Sequence, residues 1–197
     1  MSEELLKIFQ ESGALLSGHF ELSSGRHSAR YLQCALLLQH PTLSEKLCGA
    51  LAERFRKTGV TVVVGPAIGG IVISFETAKA LGARSIYAER ESDTLRFRRN
   101  FSIQRGEKVL VVEDVVTTGG STQELISLVR TDGGEVVGVG ALVDRSGGKA
   151  RYDVPFEALL KIEADSFLKE ECPFCKKGLP LTKPGSRPST SLRTGAE

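Results

Sequence analysis

Two adjacent carboxylates stand directly before a run of hydroxyls and glycines in the middle of the chain. Glu113 and Asp114 follow four apolar residues, Val109 to Val112, and the small residues of 117–121 come next. Small residues let backbone N–H groups approach a phosphate dianion closely, and a following helix N-terminus adds favourable dipole charge. The carboxylates can accept hydrogen bonds from sugar hydroxyls. The residues predicted to hold a sugar phosphate are Glu113, Asp114, Val115, Val116, Thr117, Thr118, Gly119, Gly120 and Ser121.

This segment lacks the signatures of other phosphate loops. It has neither the lysine of a Walker A motif nor the order Gly-x-Gly-x-x-Gly, which removes the usual signals of nucleotide triphosphate hydrolysis and dinucleotide binding. A plain strand, turn and helix with a good N-cap stays open as an alternative, because acids, hydroxyls and glycines also occur for capping alone.

Arginines supply two further candidate anion sites. Arg96, Arg98 and Arg99 lie in a charged segment and could fork onto phosphate oxygens, although the residues alone favour a solvated charged turn. Arg145 follows an apolar run, sits among glycines and could pair bidentately with a carboxylate. The alternative for this residue is a salt bridge to Asp144 or Asp153.

Cys172 and Cys175 have the spacing of half a zinc site. No close Cys or His pair follows them, and the spacing of His19, His27 and His40 does not indicate a metal. Structural packing, a zinc site shared across a dimer and a redox pair therefore stay open. His27 is predicted either to approach a substrate or to lie at the surface.

The other thiols and the bulk properties point to an ordinary intracellular protein. Cys34 and Cys48 are predicted to be core thiols, and the cysteine usage indicates a reduced, cytoplasmic setting. The net charge of +2 gives no push towards nucleic acid or membrane. The uncharged stretch 58–75 is interrupted by glycines and Pro66, so it is not predicted to span a membrane. The N-terminus lacks the layout of a signal peptide.

Strands alternate with helices from residue 43 to residue 143. This pattern predicts an α/β fold, a mostly parallel sheet flanked by helices on both faces. Ligands of such sheets bind at the carboxyl ends of the strands. The predicted elements are a helix ending near 13, a hairpin or loop at 18–32, a helix from 41 to 59, strands at 61–64, 84–88, 108–112 and 136–143, a charged connection at 89–100, and helices at 69–81 and 121–130.

The segment Val109–Thr122 resembles the phosphoribosyl diphosphate (PRPP) motif of type I phosphoribosyltransferases. Over roughly residues 13 to 185, the chain is similar to the orotate-using members of that family. The segments that carry this resemblance are 18–20 and 24–28 of an N-terminal hood, the pyrophosphate-side loop 65–71 and the arginine loop 144–148.

The resemblance implies transfer of phosphoribose from PRPP to orotate, which gives orotidine 5′-monophosphate and pyrophosphate in pyrimidine biosynthesis. It implies Mg²⁺ and a homodimer with shared active sites. It also implies one domain over 1–182, with a hood of about 1–40 and a core of about 41–160, while the polar tail 183–197 is predicted to be disordered. The implied catalytic residues are Arg90, Arg96, Arg98 and Asp114, and Glu113, Asp114, Thr117, Arg145 and Arg26 are implied to contact ribose or orotate.

The chain departs from the family pattern at three places. Many members carry a lysine where Ser23 stands, a Tyr-Lys pair where Ile68 and Gly69 stand, and a longer mobile loop with a lysine and a histidine where this chain has the short segment 91–100. The resemblance favours a clamp by at least one arginine of that segment. Its closure would exclude water from the reaction.

Two other functions remain open. A purine-base phosphoribosyltransferase should lack the 24–26 hood motif and the 144–145 pairing loop. A non-catalytic PRPP-binding regulator usually adds a nucleic-acid domain or a basic face, and this chain is nearly neutral with no spare domain.

Overall fold

The computed structural model describes residues 2–22, 24–162 and 166–184, and the chain separates into two compact units. The first unit contains the described parts of 1–14 and 34–163, and the second contains those of 15–33 and 164–197. Ser23 and the tail residues 185–197 lie outside the described residues, so the predictions made for them stay predictions.

Nine strands and six α-helices are found among the described residues. The strands are β1 (Leu15–Glu21), β2 (His27–Leu32), β3 (Val62–Pro66), β4 (Arg84–Glu91), β5 (Thr94–Phe97), β6 (Lys108–Val116), β7 (Glu135–Asp144), β8 (Phe156–Lys161) and β9 (Ser166–Phe167). The helices are α1 (Ser2–Glu11), α2 (Cys34–Leu38), α3 (Pro41–Glu53), α4 (Gly69–Leu81), α5 (Gly120–Thr131) and α6 (Pro173–Lys176).

The first unit is built on a six-stranded sheet with the order β5-β4-β3-β6-β7-β8. Its strands are parallel except for β5, which runs antiparallel to β4. The central strands β3 and β6 are rich in buried valines, as expected for strands that are covered on both faces. The predicted α/β fold with a mostly parallel sheet is therefore confirmed.

The helices of this unit follow from apolar spacing and end signals. α3 begins at Pro41, a residue suited to the first turn of a helix, and buries Leu47 and Leu51. α4 ends at Gly82, whose φ of +68° is the left-handed conformation that closes many helices. Among the described residues, no helix is long and apolar enough to cross a membrane.

The helix predicted for 41–59 ends at Glu53, and strand β8 was not predicted. Two further segments differ from the sequence-based expectation. The predicted charged connection 89–100 is mostly a β-hairpin, because β4 runs on to Glu91 and pairs with β5 after a two-residue turn. Strand β6 does not stop at Val112 but continues through Val116, because its pairing with β7 persists to Asp144. Glu113 and Asp114 therefore lie within a strand.

The second unit is a small antiparallel sheet of β1, β2 and β9. The hairpin of β1 and β2 confirms the prediction for 18–32, and a β-bulge interrupts its register between Ser17 and Phe20. The edge strand β9 pairs with β2 through His27 and Phe167. A short 3₁₀ turn and α6 follow β9, so this unit joins the hairpin to a segment from the other end of the chain.

Candidate functional site

The candidate site lies where the order in which the chain adds strands to the sheet of the first unit reverses. From β3 the chain crosses to β4 on one side, and from β6 it crosses to β7 on the other. Pairing between β3 and β6 ends at Val64 and Val111, whereas β6 stays paired to β7 as far as Val116. Such a switch point leaves a crevice at the carboxyl ends of the strands, where ligands of α/β sheets bind.

The hydroxyl- and glycine-rich loop connects β6 to α5 in this crevice. Gly119 is the residue before the first helical turn, and its φ of +82° is a conformation that glycine adopts without strain. A Cβ atom at Gly119 would also lie 2.8 Å from the Tyr152 hydroxyl. The loop conformation therefore requires glycine at this position.

The loop encloses a cavity of about 110 Å³ in front of the α5 N-terminus. The amide nitrogen of Gly120 lies 3.5 Å from Thr118 Oγ1, at the limit of a hydrogen bond, and Gly119 has no side chain to cap the helix. Helix N–H groups in this setting favour an anion more than a plain capped turn does. The residues that line the cavity are Glu113, Val115, Val116, Thr117, Thr118, Gly119, Gly120, Ser121 and Thr122.

The two carboxylates are half-buried beside this cavity and hold their protons unusually well. Burial, reinforced by the charge of Asp114, raises the pKa of Glu113 to about 8, although Thr122 and Arg90 oppose the shift. Burial also raises the pKa of Asp114, against a hydrogen bond of 2.8 Å that the Val115 amide donates to its Oδ1. Because burial makes these carboxyl groups costly to ionise, hydrogen-bond donors on a ligand would stabilise their charged forms strongly.

The loop 65–71 packs against one of these carboxylates. A Cβ atom on Gly69 would lie 2.9 Å from Asp114 Oδ2, so a larger side chain would have to displace the carboxylate or the loop. Gly69 is also the first residue of α4, which places a second helix N-terminus in the same crevice. The contact gives a physical reason for glycine at position 69 of this chain.

Arg145 is half-buried in the loop after β7. This loop lies next to the hydroxyl- and glycine-rich loop 117–121, the predicted phosphate loop. The Arg145 backbone N–H donates to the carbonyl oxygen of Val116 at 2.8 Å. Asp144 Oδ1 accepts a hydrogen bond from the Ser146 amide at 2.8 Å, and Asp153 pairs with Arg130 at 2.9 Å. The structure thus brings the arginine loop and the phosphate loop together at neighbouring strand ends.

Arg90 lies near the carboxyl end of β4 and donates hydrogen bonds to two acceptors of the first unit. Its Nη2 atom donates to Glu124 Oε2 at 2.9 Å, and its Nη1 atom donates to the Asp93 carbonyl at 2.7 Å. Glu124 belongs to α5, so this ion pair ties the β4–β5 hairpin to the helix that follows the phosphate loop.

The other hairpin arginines are exposed and pair with acids of the same hairpin. Arg96 lies 3.5 Å and Arg98 lies 3.8 Å from the carboxylate of Glu91. Arg99 forms a closer pair with Glu89, at 2.8 Å. These arginines form the solvated charged turn that the residues alone favoured.

Arg26 belongs to the second unit and makes structural contacts there. Its Nε atom donates to Ser166 Oγ at 3.0 Å, and its Nη2 atom donates to the Ser166 carbonyl at 2.5 Å. These bonds join the residue before β2 to β9. The implied role of Arg26 towards orotate stays a prediction.

The structure contradicts the surface alternative for His27 and shows a histidine pair that spacing along the chain did not indicate. His27 is buried rather than at the surface, and it lies with His19 beside Cys172 and Cys175, so the cysteine pair has two nearby nitrogen ligands. Spacing along the chain missed this cluster because the hairpin and the cysteine segment lie far apart in sequence and meet only in the fold.

The remaining thiols confirm the prediction of core packing. Cys34 and Cys48 are buried in the first unit, at 2% and 0% exposure. Burial raises the pKa of Cys48 to about 12 and that of Cys34 well above its usual value. Neither thiol is therefore suited to act as a nucleophile.

Comparisons with known proteins agree with this geometry. A family model described as "Phosphoribosyl transferase domain" matches residues 35–173. The orotate phosphoribosyltransferase of Pelotomaculum thermopropionicum is 58% identical over 185 residues, which are 94% of this chain and 97% of that protein.

Solved structures share the fold. The orotate phosphoribosyltransferase of Aeropyrum pernix has a TM-score of 0.69 and 28% identity over 81% of this chain and 94% of that one. The adenine phosphoribosyltransferase of Rhodothermus marinus has a TM-score of 0.67 and 24% identity over 81% of this chain and 99% of that one. Because the fold is common to enzymes named for different bases, the fold alone does not select the base.

Proposed function

The chain belongs to the orotate phosphoribosyltransferase family, and from that premise we propose how its residues carry out the reaction. The protein transfers the 5-phosphoribosyl group from PRPP to orotate and releases orotidine 5′-monophosphate and pyrophosphate, a step of pyrimidine biosynthesis. The observation that supports the residue roles best is the hydrogen bond between the Arg145 amide and the Val116 carbonyl. It sets the arginine loop beside the phosphate loop.

The phosphate loop binds the 5-phosphate of PRPP. Thr117, Thr118 and Ser121 offer hydroxyl donors, while the backbone N–H groups at the start of α5 face the dianion. Glu113 and Asp114 accept hydrogen bonds from the ribose hydroxyls. Because burial raises the pKa of both carboxyl groups, hydrogen-bond donors on the bound sugar would stabilise their ionised forms.

Phosphoribosyltransferases generally use Mg²⁺ with PRPP, and the donor set beside the loop fits this ion. Mg²⁺ takes one or two carboxylates together with substrate phosphate oxygens and keeps several waters. Glu113 and Asp114 would hold it, either directly or through the PRPP hydroxyls. When bound, the ion neutralises charge on the departing pyrophosphate.

Orotate needs little base catalysis because it is already anionic at neutral pH. Its carboxylate suits a bidentate pair with the guanidinium of Arg145, and Thr117 contacts the base from the phosphate loop. The larger task is to stabilise the leaving pyrophosphate and an oxocarbenium-like ribose. Arg90 and the hairpin arginines Arg96 and Arg98 serve this task as charged clamps, not as proton donors.

The active form is a homodimer in which the β4–β5 hairpin serves a neighbouring site. The support is a line of exposed apolar side chains on one face of α4 and its cap. Ile68 is 83%, Val72 40% and Phe75 60% exposed. Such a patch marks an interaction surface, and twofold homodimers are the commonest soluble assemblies. The protein acts in the cytoplasm.

One assay tests the proposed chemistry. Loss of orotate absorbance is followed with PRPP and Mg²⁺, and hypoxanthine, guanine and uracil are the control bases. We expect turnover of orotate and of none of the control bases. Turnover of a purine without turnover of orotate would overturn the assignment. PRPP binding without turnover of any base would favour a non-catalytic PRPP-binding regulator.

A further inference from the structure

Four metal-binding side chains converge in the second unit, outside the phosphoribosyl site. His19 Nε2 lies 2.9 Å from His27 Nδ1, and Cys175 Sγ lies 3.2 Å from the same His27 atom. Cys172 Sγ is 3.4 Å from His19 Nε2. All four ligand atoms lie within 4.8 Å of one another, and His19, His27 and Cys172 are buried. We propose that this cluster binds one structural Zn²⁺.

The mutual distances suit a tetrahedral ion. Zn²⁺ binds thiolate sulfur at about 2.3 Å and imidazole nitrogen at about 2.0–2.1 Å, so neighbouring ligands of a tetrahedral site lie roughly 3.3–3.8 Å apart. The separations of 3.2–3.6 Å between sulfur and nitrogen lie within about 0.1 Å of this range. The two nitrogens, at 2.9 Å, are a few tenths of an ångström closer than the range. Two sulfurs with two nitrogens are a typical zinc donor set, whereas Mg²⁺ prefers oxygen.

A hydrogen bond behind His19 orients its ring for this role. His19 Nδ1 lies 3.0 Å from the carbonyl oxygen of Leu179, an atom that can only accept. The proton therefore sits on Nδ1, and the lone pair of Nε2 points at the other three ligands. A second partner of this kind accompanies most zinc-bound histidines. Ordinary hydrogen bonding explains the cluster less well, because Nε2 faces one nitrogen and two sulfurs at once.

The fold brings the four residues together from both ends of the chain. Glu21 pairs with His27, and His19 lies in the β-bulge of the same strand, where its Nε2 atom comes within 2.9 Å of His27 Nδ1. Strand β9 pairs with β2 at His27, and the cysteine segment follows β9 within a few residues. Pro173 lies between the two cysteines and begins α6. Gly178 follows the cysteines, and its φ of +66° closes the turn.

The metal would hold this unit together. Units below about 70–80 residues rarely bury enough apolar surface to be stable without a disulfide or a metal. The second unit consists of two short stretches, and the cluster ties one to the other. Binding energy of a structural zinc ion is folding energy. The site would therefore fix the hairpin that carries Arg26.

Metal content of the full-length protein tests the proposal directly. Purified without chelators, the wild type should contain about one zinc per chain by elemental mass spectrometry, and Cys175→Ser should retain less than about a fifth of it. Cys48→Ala, which removes a buried thiol of the first unit, is the matched control and should keep the full content.

A second measurement covers the case in which the variant folds poorly. Replacement of zinc by Co²⁺ in the wild type should give the intense visible bands of a tetrahedral thiolate site. A zinc chelator should lower the melting temperature of the wild type, since loss of a ligand that binds only the folded state destabilises it.

Three results would overturn the proposal. The first is wild-type protein without zinc that also fails to take up Co²⁺ after reduction. The second is zinc content in Cys175→Ser equal to that of the wild type. The third is a Cys172–Cys175 disulfide in freshly purified protein, detected as a loss of two hydrogen masses under non-reducing conditions, because a disulfide cannot supply two thiolates.

Discussion

Gly69 and Asp114 are so close that a single methyl group does not fit between them: a Cβ atom on Gly69 would lie 2.9 Å from Asp114 Oδ2. The loop 65–71 and the carboxylate of Asp114 therefore pack directly against each other. Gly69 begins α4 after β3, whereas Asp114 lies in β6, so this contact joins two neighbouring βα units.

Substitution of Gly69 by alanine should impair PRPP use. The added methyl group must push the Asp114 carboxylate or the loop aside, so we expect kcat/KM for PRPP to fall about tenfold, roughly 1.4 kcal/mol, with little change in melting temperature. Steady-state kinetics check this result. Gly49→Ala, at a helical position with open space around its Cβ, should leave the kinetics unchanged. Equal activity of both variants would mean that the contact does not matter.

The raised pKa of Glu113 predicts a pH-dependent stability of the substrate-free protein. The folded state keeps this proton up to about pH 8, whereas the ordinary value is 4.5. The folded state thus binds more protons between these values, so this group makes stability fall as the pH rises through that window. Glu113→Gln removes the effect, and its melting temperature relative to the wild type should be at least about 2 °C higher at pH 9 than at pH 5.

Thermal melts of both proteins across this range provide the measurement. Glu135→Gln, at the exposed start of β7, is the control and should show no such trend. A difference between Glu113→Gln and wild type that stays constant from pH 5 to pH 9 would contradict the prediction.

The arginines of the β4–β5 hairpin should differ in their contribution to turnover, because the proposal needs at least one of them to bind the leaving pyrophosphate. Arg96, Arg98 and Arg99 are each changed to alanine, and at least one variant should lose about tenfold in turnover, roughly 1.4 kcal/mol of barrier. Arg56→Ala is the control, because this arginine pairs with Glu53 after α3. If all three variants turn over like the wild type, the clamp idea is wrong.

The dimer proposal predicts that charge on α4 separates the subunits. Phe75→Asp places a carboxylate in the exposed apolar line, where its burial would be costly. Light scattering coupled to size exclusion should find a dimer for the wild type and a monomer for the variant. A wild-type monomer at micromolar concentration would refute the proposal, and Glu135→Gln should stay dimeric.

Local patterns were enough to predict the four central strands of the six-stranded sheet and the phosphate loop. The alternation of apolar runs and amphipathic helices places α4 at its observed bounds, and the glycines and hydroxyls of 117–121 line the cavity in front of α5. Both features depend on residues that are neighbours along the chain. Their physical cause is therefore readable from the sequence.

Features that depend on distant partners could not be predicted in the same way. The extension of β6 past Val112 depends on its ladder with β7. Strand β5 is only four residues long, so its pairing with β4 decides its conformation. The metal-binding cluster joins residues 153 positions apart, as between His19 and Cys172. Local spacing carries no signal for a contact of this kind.

Arg145 should prove to be a specificity residue whose geometry matters as well as its charge. Lysine keeps the charge but cannot make two parallel hydrogen bonds to a carboxylate. Arg145→Lys should therefore raise KM for orotate about tenfold or more, the equivalent of roughly 1.5 kcal/mol for one charged hydrogen bond, while KM for PRPP changes little. Initial rates with each substrate varied in turn separate the two constants. Arg130→Lys, whose guanidinium pairs with Asp153, is the control and should leave both unchanged. Equal losses for the two substrates would show that the loop had moved as a whole, and an unchanged orotate KM would remove Arg145 from the orotate site.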